Sequence, residues 1–156
     1  MEVSAQTPVT TIENENGDLR FQLNSDGGLY VPGSYSSTTT GDSIPATGAG
    51  TRMMWYPERA AFRAGQVETG SELSQRWDAS NVGAYSVAFG SGTMAKGLAA
   101  SALGVRTTAR GGQALALGDK TIASGNHSVT MGEQTEATAL NATAMGSLTN
   151  ADGLNA

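Results

Sequence analysis

Cysteine is absent from this 156-residue chain, so it offers no disulfide framework, no thiolate nucleophile and no thiolate metal site. A chain without thiols suits folding after export across a membrane, although either compartment tolerates it. Charge is scarce too: charged residues make up 15%, with 9 Lys and Arg against 14 Asp and Glu, for a net charge of −5. Nucleic acid and anionic membranes both require a basic face, so neither is expected as a partner. Residues 1–76 hold nine acids and five bases, net −4, whereas 77–156 hold five acids and four bases, net −1. The second half is therefore expected to exert no long-range steering field. No run of about 18 apolar residues occurs that would cross a bilayer, so direct membrane contact is not expected. Aromatic residues are only 6%, too few for an ordinary globular core. Low net charge and only 4 Pro equally argue against a disordered chain. Met1-Glu2-Val3-Ser4-Ala5-Gln6 lacks the basic and apolar regions of a signal peptide. Ser4-Ala5-Gln6 nevertheless reads as the small-residue end of a cleaved signal behind an added Met1, and an extracellular location is expected.

What the chain has in quantity is glycine, 21 residues, and much of it is periodic. From Trp77 onward a 14-residue unit repeats without insertion or deletion, five times in full and once as ten residues. Gly90, Gly104, Gly118, Gly132 and Gly146 occupy position 14. Position 13 is larger and apolar: Phe89, Leu103, Leu117, Met131, Met145. Positions 10 and 12 carry only Ala, Ser or Thr, position 5 is almost always Ala, and position 3 is mostly Thr. Position 7 is Gly except at Ala139. A unit this short with two glycines cannot hold a helical hairpin. It divides into two strands of about four or five residues joined by tight corners, with Gly at 7 and 14 expected to supply positive φ. Successive units then stack as rungs of a parallel β-solenoid.

Strand alternation assigns the side chains. Positions 10 and 12 fit a thin interior, which leaves 11 and 13 on the outward face. That face collects Val87, Phe89, Leu103, Leu115, Leu117, Val129, Met131 and Met145. An apolar strip running the length of a solenoid does not stay in water. Burial is worth about 25 cal/mol per Å² of apolar surface, so self-association is expected to supply stability that an Ala/Thr interior cannot.

The segments Tyr85-Ser-Val-Ala-Phe-Gly90, Ala100-Ser-Ala-Leu-Gly104, Ala114-Leu-Ala-Leu-Gly118 and Ala142-Thr-Ala-Met-Gly146 resemble the head repeat of trimeric autotransporter adhesins. The resemblance covers 77–156, and it implies an all-β fold, a YadA-like left-handed parallel β-roll. It also implies a homotrimer with the 11/13 face on the trimer axis, displayed at a bacterial cell surface. Its implied partners are a surface receptor, a matrix protein or a glycan, without selecting among them. Thr130, Ala139, Ser101 and Thr143 depart from the pattern. Ser101 and Thr143 place hydroxyls on the axial face, where a polar layer either holds water or an ion or is simply tolerated.

Residues 1–76 read as a β-rich cap in front of the roll. Thr10–Leu23 and Gly28–Val31 suggest strands, with turns at Asn16-Gly17 and Asp26-Gly27-Gly28, and 34–50 suggests a loop. The stretch from Arg52 to Gly65, with Met-Trp-Tyr-Pro followed by Ala-Phe-Arg-Ala-Gly, resembles segments preceding similar repeats in tail-fibre-like proteins. A solenoid end must be capped, and Trp55, Tyr56, Phe62 and Trp77 are expected to form the cap core. Ala60–Gly65 reads as a degenerate rung, 25 residues before Gly90. Arg52, Glu58, Arg59 and Arg63 beside these aromatics suggest either a glycan- or protein-binding platform or a cap core with salt bridges between the three chains.

No reactive constellation emerges. His127 is the only histidine and has no partner for a Ser-His-Asp or metal arrangement. Asp119, Glu133 and Glu136 are scattered at corners rather than paired. The position-3 Thr column fits an ice-binding ladder or a small-residue interior. The Asn126 and Asn141 sequons carry no weight in a bacterial setting, and the near absence of Asp excludes repeat-type calcium sites. Cofactor, metal and enzymatic activity are therefore not expected. The reading is an adhesin head domain. Its rival is a structural or receptor-binding segment of a phage-like tail fibre, which needs the same trimer.

Overall fold

A computed structural model describes residues 8–36, 44–70 and 72–156. The chain divides into two compact units between Tyr35 and Ser36. The first is a small antiparallel sheet of β1 (Pro8–Glu13), β2 (Leu19–Asn24) and β3 (Leu29–Tyr30). Its first turn is tied by Asn14, whose side-chain oxygen accepts from the Asn16 and Asp18 amides while Gly17 takes a φ of 79°.

The second unit opens with a hairpin, β4 (Gly50–Tyr56) and β5 (Ala61–Val67), turned by a 3-10 segment at Pro57–Arg59. Proline pre-sets the φ at the start of that turn. The rungs follow in pairs of strands. They are β6 (Val87–Ser91) and β7 (Met94–Ala95), then β8 (Ser101–Val105) and β9 (Thr108–Ala109), then β10 (Leu115–Asp119) and β11 (Ile122–Ala123). The last two pairs are β12 (Val129–Glu133) with β13 (Glu136–Ala137), and β14 (Thr143–Ser147) with β15 (Asn150–Ala151). All neighbouring rungs pair in parallel with a shift of one repeat, for example Leu117 with Leu103 and Met131. The result is an all-β parallel solenoid of 14-residue rungs.

The long sheet does not stop at the first rung. β5 pairs in parallel with β6, Gly65 opposite Gly90, so the sheet has seven strands in the order β14-β12-β10-β8-β6-β5-β4. Ala60–Gly65 is thus in register with the repeat, and the sheet runs continuously across position 76. The other sheet has strands of only two residues, shorter than the repeat length suggests, because corners consume positions 2–3 and 6–7. Its first rung is braced by the 68–78 segment. Arg76 donates to the carbonyl of Gly92 and the hydroxyl of Thr108, and the Trp77 indole donates to the Thr93 carbonyl. Arg106 donates to both carboxylate oxygens of Glu68, at 3.1 Å to Oε1 and 2.7 Å to Oε2, holding that carboxyl below its usual range.

The interior is as thin as positions 5, 10 and 12 suggest: Ala88, Ala95, Ala100, Ala102, Ala109 and Ala116 are all fully buried. Thr93, Thr107, Thr121 and Thr135 face inward as well, at 0 to 1% exposure. A buried Thr column is interior packing and presents no flat ice-binding surface.

The corners differ from expectation. Position-14 glycines do have positive φ, 124° at Gly104, but the position-7 glycines do not. They are required by proximity, since a Cβ at Gly97 would sit 1.9 Å from the Gly111 carbonyl oxygen. The left-handed residues are instead at positions 2 and 9, and most are not glycine: Arg106 at 52°, Lys120 at 52°, Ala99 at 53° and His127 at 57°. Holding an L-residue there costs roughly 1–2 kcal/mol. Ala99→Gly is accordingly expected to raise stability by about 0.5–1 kcal/mol, partly offset by unfolded-state entropy. A thermal melt with unchanged or lower Tm would show that this corner is not strained.

Candidate functional site: the outward face of the long sheet

Positions 10, 12 and 14 of each rung point into the coil or toward the next carbonyl, so 11 and 13 are left outside. The register aligns them into two columns. One runs Phe62, Val87, Ser101, Leu115, Val129, Thr143, and the other Ala64, Phe89, Leu103, Leu117, Met131, Met145. Within a column each side chain half-covers its neighbour, which leaves Leu103, Leu115, Leu117, Val129 and Met131 half-buried. Phe89 remains 41% exposed and Met145 58%. The strands are spaced about 4.8 Å apart, so this strip extends over most of the second unit's length without a charged residue in either column. All eight residues assigned from the sequence to the subunit interface lie on this one face.

The four aromatics assigned to the cap core separate. Tyr56 and Trp77 are fully buried, Tyr56 against Ala61 and Val82, and Trp77 against Met54 and Val67. Trp55 and Phe62 are half-buried and point the other way. They pair across the hairpin, Trp55 opposite Phe62, and Phe62 lies opposite Val87. The rings of Phe62 and Phe89 approach to 5.6 Å between centroids. Trp55 and Phe62, expected in the cap core, continue the outward ladder together with Met53, which is 73% exposed. Alternation about the Pro57 turn carried that signal, because Trp55 and Tyr56 are adjacent and cannot share a face.

Arg52 and Arg63 are packing elements. Arg52 lies over the Trp77 ring at 5.4 Å and donates to the Gly48 carbonyl. Arg63 is fully buried, with no carboxylate within salt-bridge distance among the described residues. It donates to the carbonyls of Phe62, Ser86 and Ala95 and to the Ser86 hydroxyl. It thus closes the first coil by satisfying carbonyls of both sheets at once. Burial pulls its pKa down to about 10, which leaves it charged at neutral pH. The salt-bridged cap core weighed for Arg63 is thus replaced by partners that are carbonyls and a hydroxyl. His127 is exposed at its corner, and no cluster of three potential metal ligands occurs among the described residues.

The opposite sheet offers no comparable face. Its outward column at position 4 runs Met94, Thr108, Ile122, Glu136, Asn150; the first two are buried, and Thr108 accepts from the Arg76 guanidinium.

The class defined by these features is a parallel β-solenoid with one apolar face along its long sheet. Comparison with known families refines it. The YadA head domain repeat, taken as a two-copy unit, matches residues 95–121, 109–132, 123–149 and 137–156. Residues 95–156 are thus similar to the YadA head repeat, in keeping with the parallel β-roll of the structure. No curated protein matches the chain, and no solved structure does.

Proposed function

We propose that this protein is a non-enzymatic adhesin head, in which three identical rolls pack their long-sheet faces about a common axis and present the remaining surfaces outside the cell. The observation that carries the reading is the uncharged double column of apolar side chains on one face of a roll whose own interior is nearly all Ala and Thr. The YadA head repeat supports three as the number of chains. Attachment to a host or environmental surface would be multivalent, since three copies of each weak contact act together through avidity. No helix among the described residues is long and apolar enough to cross a membrane, which says nothing of a β-barrel.

Light scattering coupled to size exclusion tests the assembly directly. A mass near three times 15.9 kDa is expected across the micromolar range. A folded, monodisperse single chain would mean that the face is covered in another way, and the adhesin reading would fall with it.

A further inference from the structure

We infer that the subunit-packing face extends beyond the repeats onto the β4–β5 hairpin, where Met53, Trp55 and Phe62 pack against a second copy of this chain. This rests on the trimeric reading above and adds to it a part of the chain that the repeat family does not cover.

Two observations carry the inference. The first is continuity: Met53 stands opposite Ala64, which stands opposite Phe89, while Trp55 stands opposite Phe62, which stands opposite Val87. The hairpin residues therefore prolong both ladder columns without a change of face. The second concerns what the hairpin has already buried. Met54, Tyr56, Ala61, Arg63 and Val67 turn inward and are buried, whereas on the opposite face Met53 stays 73% exposed and Trp55 and Phe62 are only half-buried. The outward sequence, Thr51, Met53 and Trp55 on β4 with Phe62, Ala64 and Gln66 on β5, contains no charge. β4 is an edge strand of seven residues, where an exposed edge is usually protected by a charge or a proline. A face that is continuous in register and uncharged fits a second copy better than a charged partner.

Because the chain has no cysteine, single-cysteine variants report without background. Met53→Cys and Met145→Cys sit at the two ends of one column. Each is prepared in the full chain, checked for unchanged circular dichroism and mass, then treated with a short bismaleimide and run on a denaturing gel. Covalent dimers from both variants are expected, since two of three thiols about an axis can be bridged. If Met145→Cys crosslinks and Met53→Cys does not while the mass stays at three chains, the hairpin lies off the axis. The inference then fails and the trimeric adhesin reading stands. If neither crosslinks at a mass of three chains, a different face is inside the trimer and the inference fails again. A mass of one chain overturns both.

Discussion

Leu117→Arg is expected to abolish the assembly, reducing the measured mass from three chains to one at micromolar concentration. Leu117 lies at the middle of its column, flanked in register by Leu103 and Met131. In a trimer packed on this face, the substitution brings three guanidinium groups together near the axis. The effective penalty for burying an unpaired ion is several kcal/mol, taken three times and increased by mutual repulsion at low dielectric, so a total of order 10 kcal/mol is expected. No carboxylate stands in either column to compensate. Each released roll would expose its apolar strip, so a lower Tm and aggregation at higher concentration should accompany the change of mass. Thr138→Arg is the matched control, adding the same charge at an exposed position of the corner after β13, and it should keep the mass at three chains. An intact trimer in Leu117→Arg would remove that face from the interface.

Much of this face was legible in the sequence because a solenoid is nearly one-dimensional: each rung meets only its neighbours. A fixed 14-residue period therefore converts directly into strand register. The pairing of Gly90, Gly104, Gly118 and Gly132 follows from the spacing alone, as does the inward orientation of the Ala columns. The sequence became silent where the period breaks. Residues 60–65 fall 25 residues before the first full column rather than 14, and bulky aromatics there read as a cap core. Only the pairing of β5 with β6 shows that Phe62 and Trp55 belong to the outer ladder. The partners of Arg63 were hidden for a different reason. They include the carbonyls of Ser86 and Ala95, 23 and 32 residues away, and no local pattern encodes them. The corners were misread because Gly has two separable uses, positive φ and absence of a Cβ. Position 7 needs only the second, whereas the positive φ at positions 2 and 9 is carried by Arg, Lys, Ala, His and others.

That separation leads to the second large effect, a comparison of three alanine substitutions. At Gly111 φ is not in the left-handed region, but a Cβ would lie 1.9 Å from the Gly125 carbonyl oxygen. At Gly146 φ is 112°, yet the nearest atom to a Cβ is a Thr149 methyl at 3.7 Å. Gly118 combines both, with φ of 123° and a Cβ 1.9 Å from the Gly132 oxygen. Backbone strain alone, at Gly146→Ala, should cost about 1–2 kcal/mol. Gly111→Ala should cost more, about 4 kcal/mol or above, because the clashing atom is backbone and each rung is pinned by the rungs on both sides. Moving a rung by the required ångström would break ladder hydrogen bonds to two neighbours. Gly118→Ala should be the most damaging and divide the roll into blocks that melt separately, visible as a broadened or two-step transition by circular dichroism. Position 7 already contains one alanine, Ala139, whose facing turn at Gly153 is exposed and free to give way, so the clash there is relievable. Equal losses at Gly111 and Gly146 would mean that conformational strain, and not the close approach of successive rungs, is what keeps glycine in these columns.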